Sequence, residues 1–272
     1  MSVLVLAEHD NVKVNLSTQS VVTAARVLKL PISILVAGYR CQAVAQDLIR
    51  IKVIDNILLV DLECYQHFLA ESIAPLLAHY ANKFNYFLAP ATTFGKNILP
   101  RLAGKLNVEQ ISDIIAILDR KTYQRPIYAG NAIAVVSSQY PIQVFTVRPT
   151  VFSPPCELGK KSAPIEKVEF ASRNDLSIFI NEEDHAKDRP ESASEKIVIF
   201  GKRALKHKEN FERLVKIADR LGGAVGASRA VVDAGLAPNE FSSQSNGTSR
   251  SAHALFRCRH ISGAIQNLAG MI

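Results

Sequence analysis

Four times in the first ninety or so residues, a short apolar run gives way to a segment with helical spacing. Residues 2–7 (Ser-Val-Leu-Val-Leu-Ala) end in polar Glu8-His-Asp-Asn11. Residues 17–28 then place Val21, Ala24, Ala25 and Leu28 on one face. Residues 31–37 precede a helical stretch at 41–51 (Val44, Leu48, Ile51 inward), and residues 56–60 precede another at 68–81. Residues 86–89 lead into Pro90-Ala-Thr-Thr-Phe-Gly-Lys96 ahead of a fourth helix. A chain that alternates in this way builds a mostly parallel sheet covered by helices, because each strand regains the sheet by a helical crossover.

After Val108 the rhythm changes. Residues 114–118, 127–128, 132–138 and 143–147 are short β-like runs joined by turns, and they are expected to extend the same sheet. Residues 152–161 are rich in Pro, Gly and Lys and read as a loop. Residues 181–195 are highly charged with almost no apolar anchor, which is the composition of a linker. A fresh strand at 196–200 and an amphipathic helix at 209–221 (Phe211, Leu214, Ile217, Ala218, Leu221 inward) begin a second unit. The expected division is therefore 1–190, with its linker from about 181, and 191–272. The second unit, about eighty residues, is small for independent stability.

Composition narrows the function classes. At 48% hydrophobic the chain buries a real core, and its longest apolar runs are too short or interrupted to cross a bilayer. The start carries no basic region and no cleavage pattern, so a cytoplasmic protein without a signal peptide is expected. Cys41, Cys64, Cys156 and Cys258 lie far apart, with neither metal spacing nor a disulfide framework. No nucleophile–base pair, paired carboxylate or metal cluster stands out, and His9, His67 and His79 read as surface or packing residues. The net charge of +7 raises the separate possibility of a polyanionic partner.

Gly222-Gly-Ala-Val-Gly-Ala-Ser-Arg-Ala230 carries the most chemistry. Small residues admit a ligand close to the backbone, and Ser228 and Arg229 add a hydroxyl and a fixed cation. That set suits a phosphate or a flavin whose reduced form is negative. A tight strand–helix turn explains the glycines equally well, and neither a Walker A loop nor the dinucleotide fingerprint is present. Arg203, in Gly201-Lys-Arg203 after a strand, reads as a phosphate-loop cation or a solvated surface charge. Residues 262–270 read as a helix with a small-residue start, whose free N–H groups face a pyrophosphate or simply pack. Thr92-Thr-Phe-Gly-Lys-Asn97 is a possible anion cradle, with a capped packing turn the stronger reading.

Together these stretches resemble the alpha subunit of the electron-transfer flavoprotein family, along nearly the whole chain. The first part carries Ala7-Glu-His-Asp-Asn11, Leu88-Ala-Pro-Ala-Thr-Thr-Phe-Gly-Lys-Asn97, Gln110-Ile-Ser-Asp-Ile-Ile115, Arg125-Pro-Ile-Tyr-Ala-Gly-Asn-Ala132 and Thr146-Val-Arg148. The second carries Glu209-Asn-Phe211, Val225-Gly-Ala-Ser-Arg-Ala230, Asp233-Ala-Gly235 and Ile261-Ser-Gly-Ala-Ile-Gln266. The resemblance implies an α/β protein: a parallel-sheet, nucleotide-hydrolase-like N-terminal domain plus a smaller α/β domain that binds FAD. It implies a homologous beta subunit completing a heterodimer. It also implies an electron carrier, not an enzyme, serving fatty acid beta-oxidation. Electrons come from acyl-CoA and related dehydrogenases and pass to a quinone reductase or another acceptor. No nucleic acid and no membrane insertion are implied. The location is the bacterial cytoplasm, or the mitochondrial matrix in a eukaryote.

By motif, the resemblance assigns Arg203, Ser228, Arg229, Ser262, Gly263, Ala264, Gln266 and Asn267 to FAD. Arg229 is expected to favour the negatively charged reduced flavin. Ala204 stands where the family has a glycine after Arg203. Asn267 stands where it usually has histidine, so that position is expected to tune the flavin less strongly.

Residues 242–260 depart from the family pattern. They are polar and basic where a Gln-Thr-Gly loop and a buried strand are expected, a conflict between local and global preference. Possible codons for this stretch, read one base later, spell a run containing Gln-Thr-Gly. The hypothesis is a shifted-frame segment between two compensating indels, and a nucleotide sequence that does not yield Gln-Thr-Gly one frame over refutes it. The family also runs some tens of residues past Ala269-Gly-Met271, so the second domain is expected to be truncated and incomplete. On this reading a frame-damaged remnant that pairs with the beta subunit but holds FAD weakly or not at all is the alternative. Three arginines of the basic excess (Arg250, Arg257, Arg259) lie in the departing segment, and without them the balance is an ordinary 29 against 25.

Overall fold

The computed structural model describes residues 1–154, 163–172, 176–181, 197–201, 205–238, 241 and 254–257. The chain divides into two compact units, Met1–Pro126 with Ile133–Asn181, and Ile127–Ala132 with Glu182–Ile272.

In the first unit the expected alternation is present: β1 (Val3–Leu6), α1 (Leu16–Val27), β2 (Ile32–Gly38), α2 (Gln42–Leu48), β3 (Asn56–Asp61), α3 (Ala70–His79), β4 (Tyr86–Pro90) and α4 (Thr93–Leu106). β5 (Gln110–Ile114), β9 (Gln143–Val147) and β10 (Ile165–Lys167) complete a seven-stranded sheet of order β10-β3-β2-β1-β4-β9-β5, and every register recorded in it is parallel. Because helices cover both faces, the central strands β1, β2 and β4 are buried along their whole length instead of alternating. Val3 and Val5 enter the core on one face, with α1 and α2. Leu4 and Leu6 enter the core on the other, with α3 and α4. Asn15 caps α1 by accepting a hydrogen bond from the Ser17 N–H at 3.0 Å. Asn107 ends α4 in the left-handed region, φ 52°.

One expectation is corrected here. The short strands do not all extend one sheet. β6 (Ala116–Ile117), β7 (Thr122–Ile127) and β8 (Ala132–Ser137) form a separate three-stranded sheet of order β6-β7-β8, with β6 antiparallel to β7. Asp119 explains the turn between the first two, accepting from the N–H groups of Lys121 and Thr122 at 2.7 and 2.9 Å. β10 was not legible, because Ile165–Lys167 offers one apolar residue in three. It pairs with β3 at the sheet edge, and Tyr65 secures the chain beyond it by donating to the Phe170 carbonyl (2.7 Å) and accepting from the Ser172 N–H (3.2 Å).

The second unit has β11 (Ile197–Gly201), α5 (Lys208–Leu221), β12 (Ala224–Ala227), α6 (Arg229–Asp233) and β13 (Ala254–Arg257). Its sheet order is β12-β11-β13, all parallel. Phe211, Leu214 and Ala218 on α5 pack with Ile199, Ala227 and Val231 as its core. β13 corrects a second expectation. A strand lies within 242–260, paired Ile197↔Ala254 through Phe200↔Arg257, so the segment does not leave the sheet without it. The expected linker beyond residue 181, most of the 152–161 loop and the 262–270 helix fall outside the described residues.

Candidate functional site

The strands β11 and β12 run side by side and end together, with Gly201 opposite Ala227. In open parallel sheets the ligand crevice lies just beyond the carboxyl ends of the strands. Here that position is occupied by Ser228 and Arg229. The Ser228 N–H donates to the Gly201 carbonyl at 3.2 Å, which ties the two strand ends. The Ser228 carbonyl begins α6 by accepting from Val231, but its hydroxyl makes no capping bond. Arg229 is 74% exposed, and its Nε donates to Asp233 Oδ1 at 2.8 Å. An exposed i,i+4 pair of this kind holds the guanidinium only weakly, worth about 0.3–0.5 kcal/mol. An uncommitted hydroxyl and a loosely held guanidinium at paired strand ends fit a polar, negatively charged group.

The glycines beneath these residues have structural reasons. Gly222 closes α5 at φ 61°, a left-handed conformation that favours glycine. A β-carbon on Gly223 would stand 2.8 Å from the Ile197 carbonyl oxygen. So Gly222-Gly223 is turn chemistry, which leaves the residues at the end of β12 as the candidate part of the run for a ligand. Of the eight residues assigned to FAD from sequence, Ser228 and Arg229 are brought together as adjacent residues. Arg203, Ser262, Gly263, Ala264, Gln266 and Asn267 lie outside the described residues.

In the first unit the strand order reverses between β1 and β4. The Ala7-Glu-His-Asp-Asn11 motif follows β1 there, and its side chains are spent on the fold. Asn11, at φ 69°, donates from its backbone N–H to His9 Nδ1 (3.0 Å) and from Nδ2 to the Gln66 carbonyl (3.1 Å), and accepts from the Tyr39 N–H (3.0 Å). His9 is buried against the edge of Phe68, and burial lowers it to about 4, so it is a neutral packing residue. Burial raises the Glu8 carboxyl, partly offset by the Ser17 hydroxyl donating at 2.6 Å. In Thr92-Thr-Phe-Gly-Lys-Asn97, a β-carbon on Gly95 would overlap the Pro90 carbonyl oxygen, so this glycine lets α4 start against the end of β4. Burial raises Cys41 to about 12, which makes it an inert thiol. Among the described residues no His, Cys, Asp or Glu cluster could hold a metal.

The electron transfer flavoprotein domain model matches residues 3–173, and the electron transfer flavoprotein FAD-binding domain model matches 192–272. The chain is 44% identical over 271 residues to the electron transfer flavoprotein subunit alpha of Pseudomonas aeruginosa, covering 100% of this chain and 87% of that protein. It is 43% identical over 272 residues to the subunit of Bradyrhizobium diazoefficiens, covering 100% of this chain and 86% of that one. It is 40% identical over 284 residues to the mitochondrial subunit of Dictyostelium discoideum, covering 98% of this chain and 79% of that one.

The chain belongs to the electron transfer flavoprotein family, as an alpha subunit.

In an electron transfer flavoprotein the second domain is the FAD-binding one, and that match runs across 242–260 to residue 272. Together with β13, this does not favour the remnant reading. As a family member the chain is a redox carrier and not a classical enzyme. Among the described residues no helix is long and apolar enough to cross a membrane.

Proposed function

We propose that this subunit holds FAD at the carboxyl ends of β11 and β12 and relays electrons as half of a heterodimer with the beta subunit. The observation that carries the reading is Ser228 and Arg229 standing at those paired strand ends, inside the stretch matched by the FAD-binding domain model. The flavin supplies the redox chemistry when bound. The chain's own residues orient it and set its charge environment. The Ser228 hydroxyl is free to hydrogen-bond, and Arg229 exchanges its weak pairing with Asp233 for a contact with the ligand. A cation there favours the form with added negative charge. Arg203, Ser262, Gly263, Ala264, Gln266 and Asn267 complete the binding set, with Asn267 a neutral donor. The donors are acyl-CoA and related dehydrogenases, the acceptor is a quinone reductase or an equivalent, and the setting is the bacterial cytoplasm.

Arg229→Gln tests the assignment. It is expected to lower the flavin reduction potential and weaken FAD retention, with Arg229→Lys in between. A potential and a retention that both match the parent protein would refute the role of Arg229.

A further inference from the structure

The motifs Gln110-Ile-Ser-Asp-Ile-Ile115 and Arg125-Pro-Ile-Tyr-Ala-Gly-Asn-Ala132 have no part in the flavin site as described. Their first residues line one cleft of about 420 Å³ in the first unit. Gln110 and Ile111, with Glu109 just before them, come from β5, the edge strand of the seven-stranded sheet; Arg125 comes from β7, and Val136 and Ser137 from β8. Among the described residues, four buried side-chain polar atoms lack a hydrogen-bond partner, and two of the four, Arg125 Nε and Gln110 Nε2, belong to residues of this cleft. Native structures leave few buried donors unpaired, because each loses its hydration and gains no bond. Their coincidence in one cleft points to an acceptor from outside the chain.

Arg148 shows how this unit satisfies an arginine it uses for itself. Its Nε donates to Asp113 Oδ1 at 3.1 Å, and its Nη2 pairs with Asp113 Oδ2. No described residue does the same for Arg125 Nε. The rest of the lining narrows the ligand. Ile111 is buried in the core beside α1 and α2, and Val136 packs against that same core, so the two form a fixed apolar wall. Glu109 brings a carboxylate to the cleft, which repels a doubly charged anion more than a singly charged one. A guanidinium and an amide suit one carboxylate, whose two oxygens accept from both. Two aliphatic side chains suit a short hydrocarbon tail. The volume is that of a small-molecule site, and every one of these contacts comes from this chain.

We propose that this cleft is a binding site for a short aliphatic monocarboxylate, its carboxylate accepting from Arg125 and Gln110 and its tail resting on Ile111 and Val136. The site is complete within the chain and does not depend on the flavin assignment. Calorimetric titration with butyrate tests it, on the full chain alone and on its heterodimer. The expected result is saturable binding of one butyrate, with a Kd on the order of 1 mM in both forms. Butyramide, of the same shape without the charge, and inorganic phosphate should each bind roughly tenfold more weakly or worse. Arg125→Gln should weaken butyrate binding roughly tenfold or more, Arg125→Lys less, and Gln110→Leu roughly threefold. Glu109→Gln should narrow the preference for butyrate over phosphate. Thermal melting checks that each variant folds. Butyrate binding that is absent, or that Arg125→Gln leaves unchanged, overturns the proposal. Phosphate bound as tightly as butyrate overturns it too. So does binding by the separate chain that disappears in the heterodimer, since a group of the partner then fills the cleft. If the chain forms no heterodimer, the proposed function fails, and titration of the separate chain still decides this proposal.

Discussion

Helix α4 carries two glycines whose replacement by alanine should act in opposite directions. At Gly104 a β-carbon meets nothing within 4 Å, and the residue is exposed. Alanine there removes backbone freedom from the unfolded chain and improves helix propensity, a gain of about 0.5–1 kcal/mol. At Gly95 the same propensity gain is available, but the new β-carbon overlaps the Pro90 carbonyl oxygen and stands 3.1 Å from the Ala89 β-carbon. The obstacle is backbone at the end of a fully buried strand, so no flexible side chain can give way. The first turn of α4 must move off β4, and overpacking of this kind costs about 1–3 kcal/mol, occasionally more. The clash wins, with a net loss of about 1–2 kcal/mol at Gly95 against the gain at Gly104. In a unit of this size about 1 kcal/mol moves the melting temperature by roughly 2–4 °C. Gly95→Ala should melt lower by roughly 2–8 °C and Gly104→Ala higher by roughly 1–4 °C, followed by far-ultraviolet circular dichroism. If Gly95→Ala melts at or above the parent temperature, the close approach of α4 to β4 is wrong. The assignment of Thr92-Thr-Phe-Gly-Lys-Asn97 to packing would then lose its support.

Asp113→Asn should destabilise the first unit by about 3 kcal/mol, since it removes the carboxylate charge paired with the buried Arg148 guanidinium. Replacing both residues with apolar ones should recover much of that loss in urea denaturation, and no recovery would contradict the pairing argument. His9 is held below its ordinary 6.5, at about 4. Its stability contribution is therefore full above pH 6.5 and is lost as the pH falls towards 4, because only the unfolded chain takes up the proton; the loss approaches about 3 kcal/mol. Glu8, raised by burial, acts with the opposite sign as the pH rises above 4.5. His9→Gln should therefore flatten the urea midpoint between pH 6.5 and 4, and an unchanged slope would show that His9 does not stay neutral when folded.

The parallel sheet was legible because each of its central strands is an uninterrupted apolar run bracketed by helical spacing. β10 was not, since an edge strand needs only backbone pairing, and Ile165–Lys167 brings mostly charge. The separate sheet of β6, β7 and β8 was misplaced for a related reason. Short strands announce that they pair, but not with which neighbour. β13 was missed inside a polar stretch, where the four residues Ala254–Arg257 suffice for a parallel pairing with β11. Ser228 and Arg229 were singled out by their motif and stand at the end of β12, while the roles of Gly222 and Gly223 required φ and the position of the Ile197 carbonyl.

Flavin stoichiometry bears on the account most directly. The chain is co-expressed with a family beta subunit, the complex is purified, and its flavin absorbance is compared with its protein content. The account expects one FAD per heterodimer, released on unfolding. A stable heterodimer that carries no flavin would contradict it and would return the argument to the remnant reading.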